Sequence, residues 1–315
     1  MASVEHVGEF QLIAQLAKKF SQNKSVILGS GDDAAVVAMP DGDVVVSTDI
    51  AVENVHFKKA WSSATEIGQR IAAQNLSDIV AMGAYPTALT VGIVIPKSTE
   101  VSFLEGLVVG IEEECKKVGA SVVGGDMSIG TELAIAITVL GQRRGNPTVS
   151  RNGAKVGDEV FVAGNLGLSI AGLTCLQAGH VTPKEFVSAF RIPSPPYEIG
   201  PLAAIAGATS MIDVSDGLVA DLGHIAKQSG VVINLDSAAL APSAEMVNVA
   251  GAFGQDAQIW VLTGGEDHAL VATFAKGANV PEGMRKIGEV TESGAGQVLV
   301  GGAVFTHKSG HDHFA

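Results

Sequence analysis

The chain of 315 residues has only two cysteines, Cys115 and Cys175. They form no CxxC pair and no disulfide framework. Each falls in an apolar helical pattern, so both read as buried structural thiols. No Lys/Arg cluster suited to tracking a phosphate backbone is present, which argues against a nucleic-acid partner. No uncharged apolar run approaches the length of a membrane span. Met1-Ala2-Ser3-Val4-Glu5-His6 lacks the basic and apolar regions of a signal peptide. A cytoplasmic protein with no membrane partner is expected. The common catalytic signatures are also missing: there is no GxxxxGK[ST], no GxGxxG after a strand, no HExxH, no GxSxG elbow and no Cys/His set with zinc spacing.

What the chain has is acid and glycine. It carries 33 acidic against 20 basic residues, a net charge of −13, and 38 glycines. Apolar residues make up 47% and charged residues 17%, a balance that buries cores and excludes disorder. At roughly 100–200 residues per domain, the length suggests two domains. The glycines sit in short clusters beside acids, where backbones must approach closely. Net negative charge alone serves solubility. A negative protein that handles anions needs cations as intermediaries, which points to divalent metals.

Hydrophobic periodicity gives mixed strands and helices. Phe10, Ile13, Ala17 and Phe20 predict a helix over 9–21. A strand is expected at 34–38. Val44-Val45-Val46 reads as a short buried strand delivering Ser47-Thr48-Asp49. A helix over 65–82 and a strand over 87–95 follow. Val101, Leu104, Val108, Ile111, Cys115 and Val118 alternate steps of three and four, with Gly119 as the stop. Ser121-Val122-Val123 predicts a strand ending at Gly124-Gly125-Asp126, and 132–140 another. The polar, glycine-containing stretch 142–157 marks a boundary, giving domains 1–143 and 144–315. In the second half, 158–163 and 259–263 read as strands, and 168–178, 197–206 and 218–229 as helices. Two layered α/β domains follow.

Five acidic clusters fall at ends of these elements: Gly31-Asp32-Asp33, Thr48-Asp49, Asn75-Leu76-Ser77-Asp78, Gly125-Asp126 and Asp213-Val214-Ser215-Asp216. Each has a plainer reading. Asp32-Asp33 suits a turn, Asp49 a strand-end cap, and Asp213 and Asp216 a helix N-terminus. Asp78 lies in an apolar helical stretch, where a carboxylate needs a partner or a metal. Together the five favour a Mg²⁺ site shared with phosphates, because Mg²⁺ takes oxygen ligands and keeps waters or substrate oxygens in its shell. His311-Asp312-His313 reads as a polar tail or a small metal site.

Taken in order, Gly29-Ser30-Gly31-Asp32-Asp33, Ser47-Thr48-Asp49 with His56-Phe57, Asn75-Leu76-Ser77-Asp78, Gly124-Gly125-Asp126, Asp213-Val214-Ser215-Asp216-Gly217 and Gly264-Gly265-Glu266-Asp267 resemble the thiamine-monophosphate kinase family. That family belongs to a superfamily with aminoimidazole ribonucleotide synthetase and selenophosphate synthetase. The resemblance covers nearly the whole chain. It implies a two-domain α/β fold like that of aminoimidazole ribonucleotide synthetase, and a homodimer whose N-terminal strands form a shared barrel. It implies an N-terminal domain for ATP, Mg²⁺ and dimerisation, and a C-terminal domain closing the active site. The implied reaction is transfer of the ATP γ-phosphoryl group to thiamine monophosphate, with several Mg²⁺ ions. Asp33, Ser47, Thr48, Asp49, Asp78, Asp126, Asp213 and Asp216 are the implied metal ligands. Gly125, Asp126, Arg151 and Ser215 are implied ATP contacts. His56, Glu266 and His311 are implied substrate contacts, with His311 where the family carries a stacking aromatic ring. Arg151 and the ligands Asp33, Asp49, Asp78, Asp126 and Asp213 are the implied catalytic set. Another ATP-dependent enzyme of the superfamily, or a non-catalytic Mg-nucleotide-binding partner protein, are the alternatives.

Overall fold

The computed structural model describes residues 15–28, 36–294 and 296–307. Asp33 and His311 therefore lie outside the described residues, as do residues 9–14 of the helix expected at 9–21. The chain divides into two compact units, one of Met1–Ile79 with Ala84–Gly145, the other of Val80–Gly83 with Asn146–Ala315.

The first unit holds a two-stranded antiparallel sheet, β1 (Val26–Leu28) and β2 (Val36–Val37), and a four-stranded sheet. The sheet strands are β3 (Val45–Val52), β4 (Tyr85–Ile95), β5 (Ser121–Ile129) and β6 (Ala134–Gln142), in the order β3-β6-β4-β5. Pairing is antiparallel except between β4 and β5. That parallel step needs a crossover, supplied by helix α2 (Val101–Val118). Leu104, Leu107, Val108, Ile111 and Cys115 form its buried stripe, and Gly119 ends it at φ 69°. Helix α1 (Ala64–Ala81) buries Ile67, Ile71, Leu76 and Ile79. The two helices approach so closely that a side chain at Gly68 or Gly110 would strike the other helix's backbone.

The second unit has a seven-stranded sheet: β7 (Glu159–Ala163), β8 (Ser210–Val214), β9 (Val231–Leu235), β10 (Ala269–Phe274), β11 (Arg285–Ser293), β12 (Gln297–Val300) and β13 (Ala303–Val304). The order is β13-β12-β9-β11-β7-β10-β8. Its helices are α3 (Leu168–Gln177), α4 (Lys184–Arg191), α5 (Ile199–Ile205), α6 (Leu218–Ser229), α7 (Ala244–Ala252) and α8 (Ala257–Thr263). Every residue of β8 and β10 is buried. Val271 joins one core with Ile212, Leu222 and Trp260, while Leu270 and Phe274 join another with Met211 and Ala204. A strand covered on both faces reads as a continuous apolar run.

Three expectations are corrected. The run 259–263 is helical, not a strand: Asp256 caps α8 by accepting from the Gln258 N–H. The strand at Val44-Val45-Val46 is neither short nor buried. It continues to Val52, and Val46 is 58% exposed. The strand from Ser121 does not end at Gly124 but runs on to Ile129. Asp49 and Asp126 are consequently mid-strand and Asp78 is inside α1, so these three are not at element ends. Ladder bonds to β6 and β4 outweigh local turn chemistry there.

Candidate active site

In the first unit, the strand period of two decides which acids share a face. Ser47 and Asp49 of β3 are in line with buried Val139 and Ile137 of β6, on the face packed by the helices. Ser47 Oγ donates to Asp78 Oδ2 at 2.6 Å. The Asp49 N–H donates to Asn75 Oδ1 at 3.2 Å, and Asn75 Nδ2 donates to the Ile71 carbonyl at 2.9 Å. Asn75 and Asp78 stand one helical turn apart on α1, so they meet positions 47 and 49 together. Thr48 points the other way: its hydroxyl donates to the Ile137 carbonyl at 3.0 Å and shares a 2.9 Å bond with Thr138.

Asp126 lies on the opposite edge strand. It pairs with Gly92, which pairs with Ala136, which pairs with Ile50. Residues in register share a face, so Asp126 and Asp49 project from opposite sides of the sheet. Within this unit the structure groups Ser47, Asp49 and Asp78, and keeps Thr48 and Asp126 apart from them. Gly125 is pressed against the Val91 carbonyl of β4, leaving no room for a side chain.

His56 follows β3. Its Nδ1 accepts from the Val52 N–H at 3.0 Å. A ring nitrogen that accepts carries no proton, so the proton sits on Nε2 and the neutral ring is a donor there.

In the second unit, β8 ends at the turn Ser215-Asp216-Gly217. Asp213 is buried and Asp216 half-buried. Neither caps α6, whose N-cap is Gly217 with no side-chain bond. Asp213 Oδ2 lies 3.1 Å from His268 Nδ1. Asp221, in the first turn of α6, accepts from the Asp216 N–H at 3.0 Å. Burial, and then the charge of Asp213, push the Asp221 carboxyl up to about 7. The segment before β10 closes over this turn: Glu266 N–H donates to the Ser215 carbonyl at 2.8 Å and His268 N–H to the Val214 carbonyl at 3.0 Å. Side chains at Gly265 and Gly217 would run into the carbonyls of Ser215 and Thr263, which is why both are glycine.

Asp267 caps a different element. Its carboxylate accepts from the Gly167 N–H at 2.6 Å and the Ser169 N–H at 2.8 Å, at the start of α3. Burial pushes its carboxyl up to about 7, against the pull of those donors. Arg151 is an exposed turn residue whose carbonyl accepts from Ser229 Oγ at 3.0 Å. The sequence reasoning passed over Asn75, Asp221, Asp267 and His268. Asn75 and Asp267 belong to the Asn75-Leu76-Ser77-Asp78 and Gly264-Gly265-Glu266-Asp267 motifs. An acid one turn into an apolar helix, as Asp221 is, was the available signal for that residue.

Among the described residues, no group of three His, Cys, Asp or Glu forms that could hold a metal ion. What the residues offer is hard oxygen donors: Asp78 with Ser47, and Asp213 beside the Ser215-Asp216 turn. Each of these groups, taken within its own unit, has the donor chemistry of a Mg²⁺ site, because Mg²⁺ binds one or two carboxylates and fills its shell with waters and substrate phosphates.

The sequence matches the family description "AIR synthase related protein, N-terminal domain" over residues 31–142 and its C-terminal counterpart over 155–301. A curated thiamine-monophosphate kinase of Mycobacterium tuberculosis (strain ATCC 25618 / H37Rv) is 44% identical over 313 residues, 99% of this chain and 93% of the relative. The chain belongs to the thiamine-monophosphate kinase family. The thiamine monophosphate kinase structure from Aquifex aeolicus superposes with TM-score 0.79 at 30% identity, covering 97% of this chain and 100% of that one. A structure described as AaThiL complexed with AMPPCP and TMP superposes with TM-score 0.80 at 31% identity, covering 100% and 99%. Family membership agrees with the two-domain fold. No described helix is long and apolar enough to cross a membrane.

Proposed function

We propose that this chain transfers the γ-phosphoryl group of ATP to thiamine monophosphate, giving thiamine pyrophosphate and ADP. Full-length identity of 44% to a curated kinase of that name carries the reading. A family structure described with AMPPCP and TMP together supports it, because it pairs an ATP analogue with the phosphate acceptor.

The acceptor is a phosphate whose second pKa is near ~6, so its oxygens are largely ionised at neutral pH. No strong general base is needed. An acceptor oxygen attacks the γ-phosphorus, the bond to the β-phosphate oxygen breaks, and ADP leaves with those electrons. The obstacle is repulsion: two unit charges ~4 Å apart interact by about 4 kcal/mol at an effective dielectric near 20. Phosphoryl transfer asks the protein mainly for positioning and charge stabilisation. Mg²⁺ held by the carboxylates would supply the neutralising charge.

Asp33, Ser47, Thr48, Asp49, Asp78, Asp126, Asp213 and Asp216 would hold the Mg²⁺ ions. Thr48 and Asp126 would act separately from the Ser47–Asp78 group. Gly125, Asp126, Arg151 and Ser215 would contact ATP, Arg151 through a bidentate phosphate bond. His56, as an Nε2–H donor, would bind the acceptor phosphate, with Glu266 and His311 contacting the thiamine. Residues 1–143 would serve ATP, Mg²⁺ and dimerisation, and residues 144–315 would supply the remaining contacts. The working form would be a cytoplasmic homodimer whose N-terminal strands complete a barrel, which suits the exposed apolar positions Val46 and Ile50 on β3.

A coupled assay with ATP, Mg²⁺ and thiamine monophosphate, run beside EDTA, tests the reading. Thiamine pyrophosphate and ADP should appear in equal amounts and vanish with EDTA. ATP binding without turnover of thiamine monophosphate would reject it. So would a stable phosphoprotein trapped from γ-labelled ATP, for the direct transfer.

A further inference from the structure

His268 stands outside the proposed ligand set, yet it is bonded to one member of it. Its Nδ1 lies 3.1 Å from Asp213 Oδ2, with the two residues only 1% and 5% exposed. Asp213 belongs to a strand whose five residues are all buried. A carboxylate there needs a partner, and the ring meets it from the residue just before β10, the strand paired alongside.

The backbone shows how firmly the ring is placed. His268 adopts φ 50° and Glu266 φ 67°, left-handed values that non-glycine residues seldom take. Such residues persist where the surroundings over-determine them, and they gather at functional sites. Here the surroundings are on record: Glu266 N–H on the Ser215 carbonyl, His268 N–H on the Val214 carbonyl, and the Asp267 carboxylate on the start of α3. Three successive residues tie the entry of β10 to the end of β8 and to α3. Ligand-bearing carboxylates are commonly held by such outer partners.

We propose that His268 is a positioning residue for Asp213: by donating from Nδ1 to Oδ2 it fixes the carboxylate in the orientation that receives a divalent cation. The proposal rests on reading Asp213 as a cation ligand.

Mn²⁺ titration of the full chain, followed by electron paramagnetic resonance without nucleotide or thiamine monophosphate, tests it. H268A should weaken Mn²⁺ binding about tenfold, the scale on which outer partners act. H268N should stay within ~threefold of the parent, because Asn tolerates left-handed backbone and can place an amide donor near Nδ1. In a D213N background, H268A should add nothing. If H268A fails to fold by circular dichroism, H268F, a ring with no donor, takes its place and should weaken binding likewise. Unchanged Mn²⁺ affinity in the donor-free variant overturns the proposal. So does an H268N loss as large as that variant's, or an additive loss in the D213N background. The two readings fail separately. A chain that follows this Mn²⁺ series but phosphorylates no thiamine monophosphate loses only the substrate reading. An active kinase whose Mn²⁺ affinity ignores His268 loses only this one.

Discussion

Ser47 Oγ donates to Asp78 Oδ2 at 2.6 Å, joining a strand residue to a helix residue 31 positions later. The bond gives the carboxylate a partner on the side of the helix where Asn75 also meets β3. It also turns that carboxylate toward the strand that carries Asp49. Asp78→Asn preserves an acceptor for Ser47 but removes the charge. Activity at saturating substrates should fall by about 100-fold, the scale of losing one charge-stabilising group. The melting temperature should move by no more than about 3 °C. Ser47→Ala, which removes one of the bonds that orient the carboxylate, should raise the Mg²⁺ concentration for half activation about tenfold. A collapse in melting with activity per folded molecule intact would make Asp78 structural.

Much of this was legible in the sequence, and the failures have physical causes. Helix α2 follows its stepwise apolar pattern and stops at Gly119, because the one-sided stripe and the left-handed stop are local signals. The run Ile259-Trp260-Val261-Leu262-Thr263 has the β-branched and aromatic look of a strand. It is a helix because Asp256 caps it and the core accepts its apolar side chains. A short apolar run does not reveal its own period. The acid motifs were legible as motifs, but their faces were not. Only the register through β6 and β4 shows that Thr48 and Asp126 point away from Asp49. His268 was not legible as Asp213's partner, since 55 residues separate them.

The two thiols should be silent in the folded chain. Cys115 is fully buried, and burial followed by Glu112 and Glu114 pushes its thiol well above the ordinary range. Cys175 is also buried and shifted upward by burial. The thiolate is the reactive form, so neither residue offers it at pH 8. A chromogenic disulfide reagent should titrate no thiol natively and two after denaturation, with activity retained in the native sample. Rapid native labelling would show that one of these helices opens.

The contribution of Asp267 to stability should fall between pH 4 and pH 7 in the absence of metal. The folded chain holds the Asp267 proton until about pH 7, whereas an unfolded Asp releases it near ~3.9. In that window the native state binds more protons than the unfolded state. That contribution therefore declines as pH rises and is fully present only below the window. Asp267→Asn cannot titrate, so the slope should flatten. Losing one of the two bonds to α3 should also cost about 1 kcal/mol, as for other helix caps. Urea unfolding at pH 4.5, 5.5 and 6.5 reads both effects. An unchanged slope in the variant would assign it to other groups, Asp221 first among them.

The uncovered face of the four-stranded sheet makes the last prediction. Val46 and Ile50 are each 58% exposed and Val94 38%, and register places all three on the side away from the helices, with Thr48, Thr138 and Ala136 between them. Antiparallel sheets leave a face to water when it is polar. This one carries aliphatic side chains, which a second copy of the chain would cover as the strands of two copies close a barrel. Ile50→Glu places a charge on that face while disturbing little in the single chain, since exposed substitutions shift stability by roughly 0.5 kcal/mol or less. Light scattering after size exclusion should give a dimer for the parent and a monomer for the variant, with matching circular dichroism. A parent that runs as a monomer at micromolar concentration, or a variant that stays dimeric, would remove the shared barrel from the account and leave the acids of β3 and α1 to act within one chain.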